Sequence, residues 1–196
     1  MTLEMRLTGM VRASPTLMTV LQGVRSLDLP DWRLVSGCVY QTVWNALTGR
    51  DPDYGLKDYD AVYFDPDTSY KAEDVHIRRA AAAFAPPLDA MVEVRNQARV
   101  HLWFEAKFGE PYPPLMCTDQ ALERFVCPAF AVGIRLEPDD AISIAAPFGL
   151  EDMFQMRLRP NPNRAFNADG FARVAASALG RWPEISVAAP NMEGRI

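Results

Sequence analysis

Between Trp32 and Phe64 the apolar residues change their spacing twice. Trp32-Arg33-Leu34-Val35 reads as a short strand. Val39, Val43 and Leu47 then repeat at i, i+4 and i+8, with Tyr40 and Trp44 broadening the stripe, which predicts a helix opening at Gly37. Gly49 is placed to end it near the C′ position. From Asp58 to Phe64 the spacing returns to two: Tyr59, Ala61 and Tyr63 point one way, Asp60, Val62 and Phe64 the other. A chain that switches period in this way argues against a helical bundle or a sandwich and calls for helices packed on a sheet.

The flanking sequence extends the pattern. Leu3, Met10, Leu17, Leu21 and Val24, broken at Pro15, predict two N-terminal helices, and Leu29-Pro30-Asp31 punctuates the chain after them. Residues 50–57 read as a polar loop and Asp65-Pro66-Asp67 as a turn. An alanine-rich helix is predicted from about residue 70 to 84, stopped by Pro86-Pro87. A third strand is expected over Ala90–Val94, a helix over Asn96–Phe108, and a Pro-rich loop around Pro111, Pro113 and Pro114. Thr118 is placed to cap a helix over 119–126. Phe130–Leu136 and Ala141–Ala145 read as a strand pair turning at Glu137-Pro138-Asp139-Asp140, followed by a short helix or turn over Gly149–Met156. Asn167 caps an amphipathic helix that ends at Gly180. The expectation is one α/β (α+β) domain, a mixed sheet flanked by helices. Residues 1–29 form the N-terminal helices, 30–165 the core, and 166–196 a small C-terminal helix and tail.

Composition narrows the function classes. A chain of 196 residues can bury about 70% of its unfolded surface without disulfide support. Its three cysteines, Cys38, Cys117 and Cys127, form no CxxC pair, so a reducing cytoplasm is the default. His76 and His101 are too few for a Cys/His zinc site. No segment reaches the ~18 apolar residues of a membrane span, and no signal peptide is read. The net charge of −5 disfavours sequence-independent binding to duplex nucleic acid, though a local basic groove stays open.

Asp58-Tyr59-Asp60 is the strongest chemical signal. Side chains two apart on a strand share a face, so both carboxylates point the same way, at the point where the apolar Val62 and Phe64 face meets solvent. Two anions held so close are stable together with a cation between them or with one protonated. Hard oxygen ligands at a sheet end suit Mg²⁺ or Mn²⁺ alongside substrate phosphates. Glu93, inside the apolar run Met91-Val92-Glu93-Val94, faces water or joins a site. If its strand neighbours that of Asp58 and Asp60, three carboxylates converge and a two-metal site becomes possible. Ser36-Gly37, at a strand-to-helix junction, offers free N–H groups and close backbone approach to a phosphate.

This combination resembles the nucleotidyltransferase superfamily of DNA polymerase beta, and within it a bacterial branch of nucleotidyltransferase-like proteins of undetermined function. The matching stretches are Ser36-Gly37-Cys38-Val39-Tyr40-Gln41-Thr42-Val43-Trp44-Asn45-Ala46-Leu47, Asp58-Tyr59-Asp60-Ala61-Val62-Tyr63-Phe64-Asp65, Asn96-Gln97-Ala98-Arg99-Val100-His101-Leu102-Trp103, Ala131-Val132-Gly133-Ile134-Arg135 and Ala146-Pro147-Phe148-Gly149-Leu150-Glu151-Asp152. The resemblance implies a nucleotidyltransferase fold, with Asp58 and Asp60 as metal ligands and Glu93 as the third acid. Cys38 stands where a serine is common in the superfamily, and the loop 49–57 lengthens the path from Gly37 to Asp58.

The sequence reading is therefore a metal-dependent nucleotidyltransferase. It would move a nucleoside monophosphate from an NTP to an unidentified hydroxyl, with Ser36, Gly37, Cys38, Asn96 and Gln97 on the nucleotide and Asp58, Asp60 and Glu93 on the metal. The alternative is a catalytically silent nucleotide-binding or protein-interaction module on the same fold. His101 is read as a core histidine. Arg157, Arg159 and Arg164 are read as ion-paired surface groups; a basic groove joining them to the carboxylates would instead mark RNA end modification.

Overall fold

The computed structural model describes residues 1–164 and 167–188. Two helices, α1 (Leu3–Arg12) and α2 (Pro15–Ser26), lead into β1 (Arg33–Val35), α3 (Gly37–Thr48) and β2 (Tyr59–Tyr63). Helix α4 (Tyr70–Ala83), the single turn α5 (Leu88–Met91) and β3 (Val92–Asn96) follow. Pro15 opens α2 rather than merely separating two helices, as its missing N–H is harmless in a first turn. Gly49 takes the left-handed conformation at φ 67° and ends α3.

β1, β2 and β3 join β4 (Gly133–Leu136) and β5 (Ile142–Ala145) in a five-stranded sheet ordered β3-β2-β1-β4-β5. β2 and β3 are parallel; the β1–β2, β1–β4 and β4–β5 pairs are antiparallel. Register and alternation divide the side chains between two faces. One face carries Leu34, Tyr59, Ala61, Tyr63, Val92, Val94, Ile134 and Leu136, all within the main core beneath the helices. The other carries Val35, Asp60, Val62, Glu93, Arg95 and Gly133, and only a small cluster of Val35, Val62, Leu122 and Ala131 is buried on it. The sheet is thus heavily packed on one side and lightly covered on the other.

Four expectations shift. Strand β3 starts at Val92, not Ala90, since it begins opposite Tyr59 of β2; residues 88–91 form α5 instead. The helix expected over Asn96–Phe108 is a 3₁₀ segment, Gln97–Leu102, and a separate α6 (Phe104–Phe108). The chain breaks at Trp103, and beyond it Phe104 packs on Phe108 and Tyr112 with ring centroids 4.7 and 4.6 Å away. Thr118 does not cap α7 (Asp119–Leu122), because its hydroxyl donates to the Asp31 carbonyl. The run from Phe130 enters the sheet only at Gly133, after a 3₁₀ turn over Pro128–Phe130.

Helix α8 (Glu151–Phe154) precedes β6 (Arg157–Leu158), which pairs in parallel with β7 (Ser186–Val187), a two-stranded sheet that periodicity did not suggest. Between them lies α9 (Ala168–Leu179), where the Asn167 side chain accepts from the Gly170 N–H as expected. The last residues of the tail, 189–196, fall outside the described residues.

The long loop between α3 and β2 is tied down by one buried side chain. Asn45 Nδ2 donates to the carbonyls of Pro52 and Tyr54 at 3.1 and 2.9 Å, and its Oδ1 accepts from the Trp182 indole N–H at 2.9 Å. Trp182 packs edge-on to both Trp44 and Tyr54. Asn45→Ala removes three hydrogen bonds and leaves the buried Trp182 indole N–H without a partner. It should cost about 2–3 kcal/mol by urea denaturation, with amide exchange in residues 52–56 rising more than in the sheet.

Candidate active site

Three strand ends meet at one edge of the lightly covered face. Val35, the last residue of β1, is the register partner of Asp60, and Asp60 is in turn the partner of Glu93 across the parallel β2–β3 pair. The chain leaving β1 therefore turns into α3 beside the carboxylates. Ser36 makes that turn at φ 61° and ψ −125°, a backbone conformation costly for a residue with a Cβ. Its carbonyl accepts from the N–H groups of Val39 and Tyr40, while its side chain makes no capping bond. The hydroxyl is not spent on its own helix.

Gly37 keeps this corner open. A Cβ there would stand 3.0 Å from Gln41 Nε2 and 3.8 Å from Asp58 Oδ1. Asp58 is exposed and Asp60 half-buried, so the pair straddles the boundary between sheet and solvent. Burial, reinforced by Asp58 and Glu93 and opposed by Arg95, pushes the Asp60 carboxyl up to about 6. Glu93 is exposed and turned onto Arg95, whose Nη2 donates to Glu93 Oε2 at 3.1 Å.

The donor set is oxygen only, which suits a hard divalent cation, and the rise at Asp60 comes from burial first and from the neighbouring Asp58 and Glu93 second. Among the described residues, however, no three His, Cys, Asp or Glu side chains form a ready-made metal cage. Asp58 and Asp60 lie two apart at the start of β2, and Glu93, the register partner of Asp60, is held by Arg95.

The other candidates are placed differently. The Cys38 thiol is fully buried, donates to the Val35 carbonyl at 3.3 Å and is pushed far up by burial, with Asp60 and Asp58 adding to it. Its side chain is closed to a phosphate. Asn96 is at the far end of β3, about 10 Å from Glu93 at strand spacing. Its Nδ2 donates to the Asp65 and Asp67 carbonyls and its Oδ1 accepts from the N–H groups of Asp65 and Ala98. Gln97 is buried and donates to the Arg95 carbonyl at 3.3 Å. The structure does not bring these two amides to the carboxylates, because local bonds already use them.

His101 is partly buried, and its Nδ1 has no hydrogen-bond partner. Arg157 and Arg159 both bind the buried Asp152 at 2.6 Å, and Arg164 binds Glu110 at 2.6 Å. Ion pairing thus accounts for all three.

Three neighbours escaped the sequence reading. Arg95 is two residues beyond Glu93 on the same strand face, a placement the period-two pattern carries. Gln41 and Arg181 meet at 3.4 Å beside the α3 start, a contact between distant segments that no local pattern signals.

A family model described as Nucleotidyltransferase matches residues 22–187. The chain belongs to this nucleotidyltransferase family. A solved structure described as an NMR structure that reveals a CCA-adding enzyme head domain matches 93% of this chain and 94% of its own, with 25% identity and a TM-score of 0.75. No curated protein matches. The nucleotidyltransferase fold expected from the sequence is thus the fold observed.

Two measurements probe this corner. Ser36→Gly removes the Cβ from a positive-φ position and should stabilise the fold by about 1 kcal/mol in thermal or urea unfolding. The folded Asp60 pKa lies above its ordinary value of 3.8, so its contribution to stability is present below that value and lost as pH rises through about 6. With a chelator present, wild type should lose roughly 2 kcal/mol relative to Asp60→Asn between about pH 4 and 7, read from paired denaturation curves.

Proposed function

We propose that this nucleotidyltransferase moves a nucleoside monophosphate from an NTP to a hydroxyl acceptor and depends on Mg²⁺ or Mn²⁺ to do so. The observation that carries the reading is the register: Asp60 faces Glu93 on one side and the end of β1 on the other, where α3 begins. A helix start with free N–H groups is suited to phosphate, and here it adjoins carboxylates that phosphate would otherwise repel. That juxtaposition makes sense with a cation shared between them.

Asp58 and Asp60 would hold the ion, with Glu93 completing the set. When bound, the ion neutralises charge on the phosphates and carboxylates together. The chain's own part is mostly positioning. The Ser36 hydroxyl and the first N–H groups of α3 hold the phosphates against the open corner at Gly37. The acceptor oxygen forms a bond to the α-phosphorus as the bond to the β-phosphate oxygen breaks, and pyrophosphate leaves with that electron pair. The hydroxyl proton passes to a carboxylate oxygen of Glu93.

No helix among the described residues is long and apolar enough to cross a membrane; both substrates are read as reaching the site from water. Calorimetric titration with ATP, CTP, GTP and UTP, each with and without Mn²⁺, tests the reading. Wild type should bind one or more of them only with the metal, and Asp60→Asn should lose that binding while remaining folded. Transfer, once an acceptor is found, should fall at least about a hundredfold in either Asp58→Asn or Asp60→Asn. Nucleotide binding that ignores the metal would favour the silent module instead.

A further inference from the structure

We propose that Arg181 is the cation that receives the β- and γ-phosphates of the bound NTP, and that Gln41 holds it there. The inference rests on the NTP-donor reading above and adds a residue from a segment that neither the motifs nor that reading includes.

Arg181 follows the end of α9, far in sequence from the strands that carry the acids. Its Nη1 donates to the Gly55 carbonyl at 3.1 Å and to Gln41 Oε1 at 3.4 Å, and its Nε to the Ser177 carbonyl at 3.3 Å. The guanidinium carbon lies 4.7 Å from the ring centroid of the fully buried Trp182. The cation is thus held from several sides. Every one of these acceptors is neutral, and among the described residues no carboxylate lies within ion-pairing distance of it. Arg33, Arg95, Arg157, Arg159 and Arg164 each have one. In a chain of net charge −5, a fixed and half-buried guanidinium without an anion is a site whose counter-charge arrives from outside.

Gln41 links that cation to the proposed phosphate corner. Its Nε2 is 3.0 Å from the position a Gly37 Cβ would occupy and donates to the Tyr40 hydroxyl at 3.2 Å, while its Oε1 faces Arg181. Asp58 Oδ1 is 3.8 Å from the same Gly37 position. One amide side chain therefore spans from the first residue of α3 to the guanidinium. A polyphosphate lying over the helix start, with its α-phosphate towards the carboxylates, extends its terminal phosphates to Arg181. A planar fork of donors matches two phosphate oxygens at once.

The test compares wild type, Arg181→Gln, Arg181→Lys and Gln41→Glu by calorimetry in Mn²⁺. The probes are inorganic tripolyphosphate, the four NTPs and the corresponding monophosphates. Arg181→Gln should weaken tripolyphosphate and NTP binding about tenfold or more and leave monophosphate binding unchanged. Arg181→Lys should recover part of the loss. Gln41→Glu keeps the arginine in place but supplies it with a carboxylate, and should weaken tripolyphosphate and NTP binding without loosening the loop around Gly55. Triphosphate binding unchanged in both Arg181→Gln and Gln41→Glu overturns the proposal. So does an equal loss for mono- and triphosphates in Arg181→Gln, which marks a purely structural arginine. Wild type that binds neither NTP nor tripolyphosphate overturns the donor reading itself, and this inference with it.

Discussion

Side chains alternate across a strand, and in this sheet that constraint sorts apolar packing from chemistry. Tyr59, Ala61 and Tyr63 go down into the core; Asp60 and Val62 go up, in step with Glu93 on one neighbour and Val35 on the other. Slipping β2 by one residue would bury Asp60 among leucines and lift two tyrosines towards water. The packed face therefore fixes the register, and the register fixes which acids stand together. Since β1 and β2 are antiparallel, the end of β1 falls beside the start of β2, and the helix that follows must begin there.

Several features at that corner work against stability. Asp60 resists ionisation, Ser36 occupies a conformation better suited to glycine, and Gly37 brings backbone to within a methyl group of Gln41 and Asp58. Each is tolerable because the opposite face of the sheet is tightly packed. Strain and unbalanced charge gathered in one place, with the rest of the fold regular, is the pattern of a site shaped by function rather than folding.

Much of this was legible from residue spacing. The helix at Gly37, the strand at Asp60, the hairpin near Glu137 and the Asn167 cap all follow from local period and turn chemistry. Glu93 was legible as an acid in an apolar strand, and the β2–β3 pairing turned that into a position. What spacing could not carry was competition between local bonds. Asn96 looks like a pocket residue but is claimed by the Asp65–Asp67 turn, and Thr118 looks like a cap but is claimed by Asp31. The break at Trp103 left no trace either, since Val100, Phe104 and Phe108 keep helical spacing across it. Contacts between distant segments, such as Gln41 with Arg181, leave no periodic trace at all.

The placement of Trp182 has an optical corollary. Its indole is buried against Trp44 and Tyr54, next to Arg181, and under the loop that leads into Asp58. Excitation absorbed by Tyr54 has an efficient acceptor at a centroid distance of 5.8 Å. A rearrangement that carries Tyr54 well away from Trp182 lowers that transfer, so the chain carries its own fluorophore for watching the corner move.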